Sequence, residues 1–354
     1  MLRRLTIAVA ILAMLGTAAN AQNRDRFLQV MTRNMDTGSD FGFVLGATDQ
    51  LGVLLGIRAT YQEILASDIP ERADGIAAEI QTIHPDLVAL QEITTLSTGP
   101  YGGPATTVVA NQLQSLMAAL RRRGLHYATI ALQANADVEL PAFDQSFNLF
   151  DVRLTDFDAV LARTDLPVSQ FKLANIQQQH FNAALVFPIL GQAIRFPRGW
   201  IALDAKLRGK TYRVVTTHLE TLNLEVQAAQ ALELVSGPGS SGLPLVLAGD
   251  LNSDANNPSL TQSPAYHTLV NAGFLDVWEI LHPGDAGNTW PLHGEDPQTQ
   301  ASTPNQRIDL VLTRGDGITA REISLVGTTP PGSMQLWPSD HAGVVGSFTL
   351  LPKQ

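Results

Sequence analysis

The chain has 354 residues, of which 33 are acidic and 23 are lysine or arginine, so its formal net charge is −10. This acidic balance disfavours a protein whose main affinity is for nucleic acid, because that affinity comes largely from lysine and arginine neutralising phosphates. The absence of cysteine excludes disulfides and a lipoprotein anchor attached through cysteine.

The N-terminus has the order of a secretory signal. Arg3 and Arg4 precede an apolar run that ends in small residues at Ala19 and Ala21. The run is short for a membrane span. We therefore expect residues 1–21 to be a signal peptide and the mature protein to be periplasmic or extracellular, with no transmembrane segment. No repeat or linker divides the remainder, so residues 22–354 are expected to form one domain.

Residues 41–57 form a second apolar stretch, which Asp49 and several glycines interrupt. The stretch is shorter than a spanning helix requires. We favour core packing or a buried loop for it. The alternative is contact with lipid, which predicts that Phe41 or Phe43 is exposed to solvent.

Short runs rich in valine, isoleucine and leucine predict strands. These runs are residues 27–31, 87–90, 159–162, 212–217, 243–248, 308–312 and 344–350. Helical patterns run from Pro70 to Pro85 and over residues 109–120 and 224–235, and the basic run 121–123 suits a helix C-terminus. Strands that alternate with helices, followed by consecutive strands late in the chain, predict an α/β protein with a mixed sheet.

Polar residues gather where the predicted strands end. They are Asn34, Gln91, Glu92, His218, Asp250, Asn252, Asp340 and His341. In layered α/β proteins the loops that leave strand ends hold ligands, because side chains converge there on rigid supports. We therefore expect these residues to form one site.

The residue types point to metal and phosphate chemistry. Glu92 at the end of an apolar strand is a suitable ligand for a hard metal ion. Asp250 and Asn252 are two residues apart and would lie on one side of an extended backbone, where they could hold a phosphoryl oxygen and a water molecule. The alternative for this pair is a turn rich in Asn and Asp, without a role in chemistry.

A further carboxylate, Asp309, lies inside an otherwise apolar predicted strand. A lone buried carboxylate is costly unless it is paired, and a histidine is a natural partner. His341 supplies one. Its neighbour Asp340 points to a different side of the chain, so that one of the two residues is able to bind a metal while the other faces the substrate.

Six motifs occur along the chain in the order MTRN, LQE, TTHL, GDLN, RIDLVL and SDH. In this combination the chain resembles the endonuclease/exonuclease/phosphatase superfamily, which has the deoxyribonuclease I-like fold, over nearly the whole mature chain. The resemblance implies a two-sheet α/β sandwich with helices packed outside the sheets. It also implies hydrolysis of phosphate esters with Mg²⁺, or with Mn²⁺ in its place.

The resemblance also implies roles for single residues. Asn34, Glu92 and Asp340 resemble metal ligands, and Asp250 and Asn252 resemble the pair that orients the water and the scissile phosphate. His341, held by Asp309, resembles the catalytic base or the phosphate-contacting histidine. His218 resembles the second histidine, which steadies a non-bridging oxygen or helps the leaving group. Arg198 is placed to line the phosphate pocket, with a structural salt bridge as the alternative.

These expectations lead to a secreted, metal-dependent phosphoesterase that hydrolyses phosphodiesters by in-line attack of an activated water. The substrate is nucleic acid, a phospholipid head group or a small molecule. A sphingomyelinase-like enzyme and a small-molecule phosphatase are the alternatives within this class. Outside it, a non-catalytic binding protein on the same fold predicts a broken ligand set. A serine hydrolase is disfavoured, because no G-x-S-x-G elbow follows a strand.

Overall fold

Two mixed β-sheets packed face to face form the body of the molecule. A computed structural model describes residues 27–293, 301–330 and 336–350. The predicted signal peptide lies outside the described residues. Within them, no helix is both long enough and apolar enough to cross a membrane.

The first sheet has seven strands. They are β1 (Leu28–Asn34), β2 (Leu87–Pro100), β3 (Thr107–Asn111), β4 (Tyr127–Phe143), β5 (Leu149–Arg163), β14 (Ile318–Val326) and β15 (Gly343–Leu350). Their order is β14-β15-β1-β2-β5-β4, with β3 also paired to β2. The central pair, β1 and β2, is parallel.

The second sheet has six strands. They are β6 (Phe171–His180), β9 (Gly199–Leu207), β10 (Lys210–His218), β11 (Leu245–Asp250), β12 (Leu275–Asp276) and β13 (Asp309–Arg314). Their order is β12-β13-β11-β10-β9-β6, and the central pair, β10 and β11, is parallel. A separate hairpin joins β7 (Leu185–Ile189) to β8 (Gln192–Phe196).

Within the described residues, seven α-helices pack on the two sheets, most of them on the outer faces. They are α1 (Gly42–Leu45), α2 (Gln50–Ala66), α3 (Ile69–Ile83), α4 (Gln112–Arg122), α5 (Leu224–Ser236), α6 (Pro264–Asn271) and α7 (Val277–Leu281). Apolar residues of α3 and α4 pack against the outer face of the first sheet, and those of α5 and α6 pack against the outer face of the second. The short α7 packs through Val277 and Trp278 into the core between the sheets. Residues such as Val30, Val160, Leu203 and Val246 fill the space between the sheets. The predicted two-sheet sandwich with external helices is confirmed.

The strands β2 and β5 are much longer than the predicted runs 87–90 and 159–162. A bulge separates the two parts of β2, because Leu90 pairs with Ala159 and Ile93 with Phe157. Beyond the bulge β2 continues for eight residues, or about 26 Å at 3.3 Å per residue. We call this part of the sheet, built by the outer ends of β2, β4 and β5 with β3, the sheet extension. The pattern missed it because polar residues interrupt its apolar alternation.

The preferred prediction of core packing or a buried loop for residues 41–57 is wrong. The segment forms α1 and the first half of α2, and Phe43 and Leu51 are 55% and 59% exposed. One side of α2 packs on the sheet extension through Ile57 and Ile64, and the other side faces solvent. Apolar composition alone does not reveal which side of a helix is covered. The helix predicted over residues 109–120 also begins later, since Val109 lies in β3.

Candidate active site

The ends of the two parallel strand pairs meet at one edge of the sandwich. Asn34 pairs with Gln91 in the first sheet, and Asp250 lies between His218 and Asp309 in the second. Residue 249 must be glycine, because a Cβ atom there would lie 2.2 Å from the carbonyl oxygen of Thr217. This close approach of β10 and β11 sets the carboxylate of Asp250 beside the imidazole of His218.

Asp250 and Asn252 converge through a turn and not through an extended strand. Asn252 has a left-handed backbone with φ 48°. Its backbone N–H donates to Asp250 Oδ1 at 2.9 Å, and its side-chain nitrogen lies 3.0 Å from His218 Nε2. The expectation of an extended backbone was therefore wrong, and the Asx turn that was weighed as its alternative brings the two side chains together.

His341 is paired with a carboxylate. Its Nδ1 lies 2.8 Å from Asp309 Oδ2, and its backbone N–H donates to Ser339 Oγ at 3.1 Å. The other carboxylate oxygen of Asp309 is buried and has no partner among the described residues. Burial by itself lowers the pKa of His341, but the carboxylates of Asp309, Asp340 and Asp250 outweigh it and hold this pKa well above its usual range.

His218 is paired with a cation. Arg198 Nη1 lies 2.9 Å from His218 Nδ1 and 3.4 Å from Asp156 Oδ2. Because a guanidinium group only donates, Nδ1 accepts and the neutral ring carries its proton on Nε2. Burial, followed by the charges of Arg198 and His341, holds the pKa of His218 well below its usual range. Arg198 thus makes the salt bridge that was weighed for it and also touches a site histidine.

Glu92 lies in the bulge of β2, where it and Gln91 together face Asp158 of β5. Its backbone is left-handed, with φ 54°. Bulges re-aim side chains at sheet edges, and here the bulge directs the carboxylate of Glu92 into the site. Oε2 accepts from the backbone N–H of Thr37 at 3.0 Å, and Oε1 lies 3.8 Å from His218 Nε2. Burial and then the charge of Asp340 raise the pKa of Glu92 to about 7.

The three predicted metal ligands have different partners at this edge. Asn34 donates its Nδ2 to Asp250 Oδ2 at 3.0 Å, and its Oδ1 accepts from the backbone N–H of Asp36. Asp340 accepts from Trp290 Nε1 at 2.8 Å, and its charge acts on Glu92. No direct contact joins Asn34, Glu92 and Asp340 to one another among the described residues.

Two groups of side chains at the edge bring potential ligand atoms within 4.8 Å of one another: Glu92, His218 and Asp250, and Asp250, Asp309 and His341. Burial and then the neighbouring Asp309 raise the pKa of Asp250 to about 6. Crowded carboxylates of this kind repel one another, and a divalent cation would relieve that repulsion. Oxygen donors are the ligands that Mg²⁺ and Mn²⁺ prefer, so the residues present fit such an ion.

Sequence reasoning missed an acidic pair behind the site. Asp156 and Asp158 lie two apart on β5, and Asn135 of β4 donates to Asp156 Oδ2 at 3.3 Å. Both carboxylate oxygens of Asp158 are buried with no partner among the described residues. Burial and then Asp156 raise the pKa of Asp158 well above its usual range. The spacing Asp-Phe-Asp on a strand was the available signal, since it puts both carboxylates on one face.

A buried arginine was missed as well. Arg33 is fully buried, forms a salt bridge with Glu79 of α3 at 2.9 Å, and donates to the backbone carbonyl of His341. It therefore fastens the loop that carries His341 to β1 and to a helix on the outer face. Within MTRN, the sequence predicted only Asn34 as a site residue.

Comparison with known proteins supports this assignment of the fold. The sequence model of the Endonuclease/Exonuclease/phosphatase family matches residues 64–341. The fold is similar to a mannosyl-6-phosphatase from Bacteroides thetaiotaomicron, with a TM-score of 0.55, 16% identity, and coverage of 91% of this chain and 100% of that one. It is equally similar to a family protein from Leptotrichia buccalis, with a TM-score of 0.55, 15% identity and the same coverage.

A third similar structure is truncated TDP2 from Caenorhabditis elegans, with a TM-score of 0.50, 16% identity, and coverage of 91% of this chain and 97% of that one. Among curated protein sequences, none matches the chain. The structural likenesses show the fold, and the match of the family model extends over most of the chain. The chain therefore belongs to the endonuclease/exonuclease/phosphatase family and is a metal-dependent hydrolase of phosphate esters.

Proposed function

We propose that the protein is an exported phosphodiesterase that uses Mg²⁺, or Mn²⁺ in its place, and attacks phosphorus with an activated water. The observation that carries the proposal is the convergence of Asp250, Asn252, His218 and the His341–Asp309 pair at the sheet edge that also holds Glu92. Phosphoryl transfer requires a positioned water and neutralisation of charge on the oxygens, and these groups are suited to both tasks.

Asp250 and Asn252 orient the water and the phosphate in this proposal. Asp250 accepts a proton from the attacking water, because its carboxylate lies at the centre of the site, 3.6 Å from His218 Nε2 and 3.8 Å from His341 Nδ1. His218 donates from Nε2 to a non-bridging oxygen or to the leaving group. The side-chain amide of Asn252 lies beside the same nitrogen, at 3.0 Å, and donates to the backbone carbonyl of Leu219.

His341 contacts the phosphate in this proposal and is not the base. Its Nδ1–H is committed to Asp309 at 2.8 Å, so its Nε2 is the atom left for the substrate. A flanking carboxylate stabilises an imidazolium, which donates and does not accept. Of the two roles that the family resemblance allows, phosphate contact agrees better with this pairing.

A divalent cation completes the proposal. Asn34, Glu92 and Asp340 would hold it, and when bound it would neutralise charge on the phosphate oxygens. Arg198 acts from behind His218, to which it donates at 2.9 Å. Direct contact of Arg198 with the phosphate remains part of the proposal, because its guanidinium retains further donors.

The charges at the site favour a diester over a monoester. The carboxylates of Asp36, Glu92, Asp250, Asp309 and Asp340 lie at or beside this edge, and the cationic groups next to them are Arg72, Arg198 and His341. A phosphomonoester carries between one and two negative charges at neutral pH, whereas a diester carries one. Those three cationic groups and a bound divalent cation together match the five carboxylates, so no positive charge is left over to balance the second charge of a monoester.

The direct test is hydrolysis of bis(p-nitrophenyl) phosphate and of p-nitrophenyl phosphate by the purified protein, with Mg²⁺, with Mn²⁺ and with EDTA. We expect cleavage of the diester that EDTA abolishes. Cleavage of the monoester alone would replace the proposal with a phosphatase, as the name of the Bacteroides neighbour suggests. Absence of cleavage of either compound would favour the non-catalytic binding protein.

Export is a separate part of the proposal and rests on the order of residues 1–21. Its test is the N-terminal sequence of protein recovered from the periplasm and from the medium after expression of the full chain in a bacterium. We expect the sequence to begin at Gln22. Protein that retains Met1 and stays in the cell would contradict export without affecting the phosphodiesterase activity.

A further inference from the structure

Large apolar side chains are exposed together on α1 and α2. Phe43 and Leu51 are 55% and 59% exposed, and Leu45 and Leu55 are each 41% exposed. Phe147, in the turn between β4 and β5, is 68% exposed and has the guanidinium of Arg58 at 6.0 Å from its ring. We call these five apolar residues the apolar patch. Such concentrations of exposed apolar surface usually mark a contact with another molecule.

The helix geometry explains why the patch is left uncovered. Leu51, Leu55 and Arg58 are spaced by four and three residues, so they lie on one face of α2. The opposite face carries Ile57 and Ile64, which pack on the sheet extension. Because α2 already buries one apolar face, the second apolar face has no role in the core.

The patch is connected to the active site through a short loop. Residues 35–41 join Asn34 to α1, and within this loop the backbone N–H of Thr37 donates to the carboxylate of Glu92 at 3.0 Å. Ser39 donates to Glu63 of α2, which fixes the helix to the same loop. The sheet extension beneath α2 continues β2 outward from Glu92. The patch therefore lies on the part of the surface next to the site, on the helices that follow this loop and cover the sheet extension.

The charges around the patch select its partner. Residues 41–57 contain no lysine or arginine, and the exposed acids Asp40 and Asp49 flank α1. Arg58 lies next to the patch, at 6.0 Å from the ring of Phe147, but the two acids outnumber it. With a net charge of −10 for the chain, the patch is poorly suited to anionic lipid or nucleic acid, both of which attract basic residues. A zwitterionic bilayer presents ammonium groups at its outer surface, and these complement the flanking carboxylates.

We propose that the apolar patch docks the protein on the surface of a zwitterionic phospholipid bilayer. Phe43, Leu51 and Phe147 enter the boundary between head groups and acyl chains, as the apolar face of an interfacial helix does. Asp40 and Asp49 remain among the head groups. Delivery of head-group phosphodiesters to the site rests on the proposed phosphodiesterase activity, whereas the docking itself does not.

The test is co-sedimentation of the purified protein with vesicles of pure phosphatidylcholine, of sphingomyelin, and of phosphatidylcholine with phosphatidylserine. The double variant F43S/L51S removes two exposed side chains and is expected to weaken binding to the first two vesicles roughly tenfold or more. The matched control is L232S/L260S, whose two leucines are 60% and 64% exposed in other parts of the structure. We expect the control to bind as the natural protein does.

Two further measurements keep the inference separate from the proposed function. Hydrolysis of soluble bis(p-nitrophenyl) phosphate should be equal in all three proteins, because the substituted side chains lie outside the site. Binding should also persist at 0.5 M salt, since apolar contacts are not screened. Activity without vesicle binding would overturn the docking and leave the phosphodiesterase standing. Vesicle binding without activity would support the docking and overturn the phosphodiesterase.

Other outcomes would also overturn the docking. Equal binding by F43S/L51S and the natural protein would show that the patch is not the contact. Binding only to vesicles with phosphatidylserine would show that charge, and not the patch, is responsible. A dimer in sedimentation velocity that F43S/L51S dissociates would identify a second copy of the chain as the partner.

Discussion

The two histidines of the site have partners of opposite charge. His341 Nδ1 faces the carboxylate of Asp309 at 2.8 Å, and His218 Nδ1 faces the guanidinium of Arg198 at 2.9 Å. Both rings are buried at the same sheet edge. Burial lowers the pKa of both rings, and the partner of Nδ1 helps to decide whether that effect is overcome, as in His341, or reinforced, as in His218.

The largest expected contrast between the two rings is in protonation. In EDTA-treated protein at pH 7, we expect ¹⁵N NMR to find both nitrogens of His341 protonated and only Nε2 of His218 protonated, because their pKa values are shifted in opposite directions. Titration of both rings near pH 6.5 would contradict the inference that their pKa values are shifted in opposite directions.

The same shifts have opposite effects on stability. The pKa of His341 is raised on folding, so its contribution is fully present below about pH 6.5 and is lost as the pH rises through the raised value. The pKa of His218 is lowered on folding, so protonation of this ring in the unfolded chain destabilises the fold as the pH falls below about 6.5.

Substitution of the cationic ring should have the next largest effect. We expect His341→Ala to lower kcat/KM for a soluble diester by about 10⁴-fold, at the upper end of the range for a group that acts on the reacting atoms. A single cooperative thermal transition would show that the fold is intact, at a lowered Tm because Asp309 loses its buried partner. The control is His267→Ala on α6, which should retain full activity, and activity that persists in His341→Ala would contradict the role of this ring.

Removal of the negatively charged partner, Asp309, should lower kcat/KM less than removal of His341. Asp309→Asn keeps a hydrogen-bond acceptor near His341 Nδ1 but removes the charge that favours the imidazolium, and we expect a loss of about 10²-fold in kcat/KM. Combined with His341→Ala, the substitution should add little, because both act through one ring. Additive losses in the double variant would show that Asp309 acts independently of His341.

Removal of the positively charged partner, Arg198, should give the smallest loss in kcat/KM of the three substitutions. Arg198→Met deletes the donor to His218 Nδ1, and we expect a loss of about tenfold in kcat/KM, the value of one charge-assisted hydrogen bond. Arg198→Lys keeps the charge and should recover part of the loss. A loss as large as that of His341→Ala would mean that Arg198 contacts the phosphate directly, as the sequence suggested.

Much of the site could be predicted because its residues end apolar strands within short motifs. His218, Asp250 and Asp309 each follow or interrupt a run of valine and leucine, so both their chemistry and their position are visible in the sequence. Asp156 and Asp158 were missed because Arg198, which pairs with Asp156, lies 42 residues away in sequence. The Asp-Phe-Asp spacing shows that the two carboxylates share a face, but the pairing with a distant strand, which places them at the site, leaves no local signal.

The parts of the fold that were mispredicted share a physical cause. The bulge at Glu92 breaks the alternation of β2, and the turn at Asn252 depends on a left-handed residue, so neither follows from periodicity. The exposed face of α2 is apolar like its buried face, and composition does not distinguish them. The conformation and exposure of these segments depend on contacts that form only when the two sheets and the sheet extension are assembled.

The left-handed backbone of Glu92 affects which substitutions evolution would favour at this position. A left-handed glutamate costs about 1 to 3 kcal/mol, and glycine would adopt the same conformation without that cost. Glycine would also delete the carboxylate that Thr37 holds in the site. Selection for thermal stability alone would therefore favour loss of the site, so stability and activity are opposed at this one position.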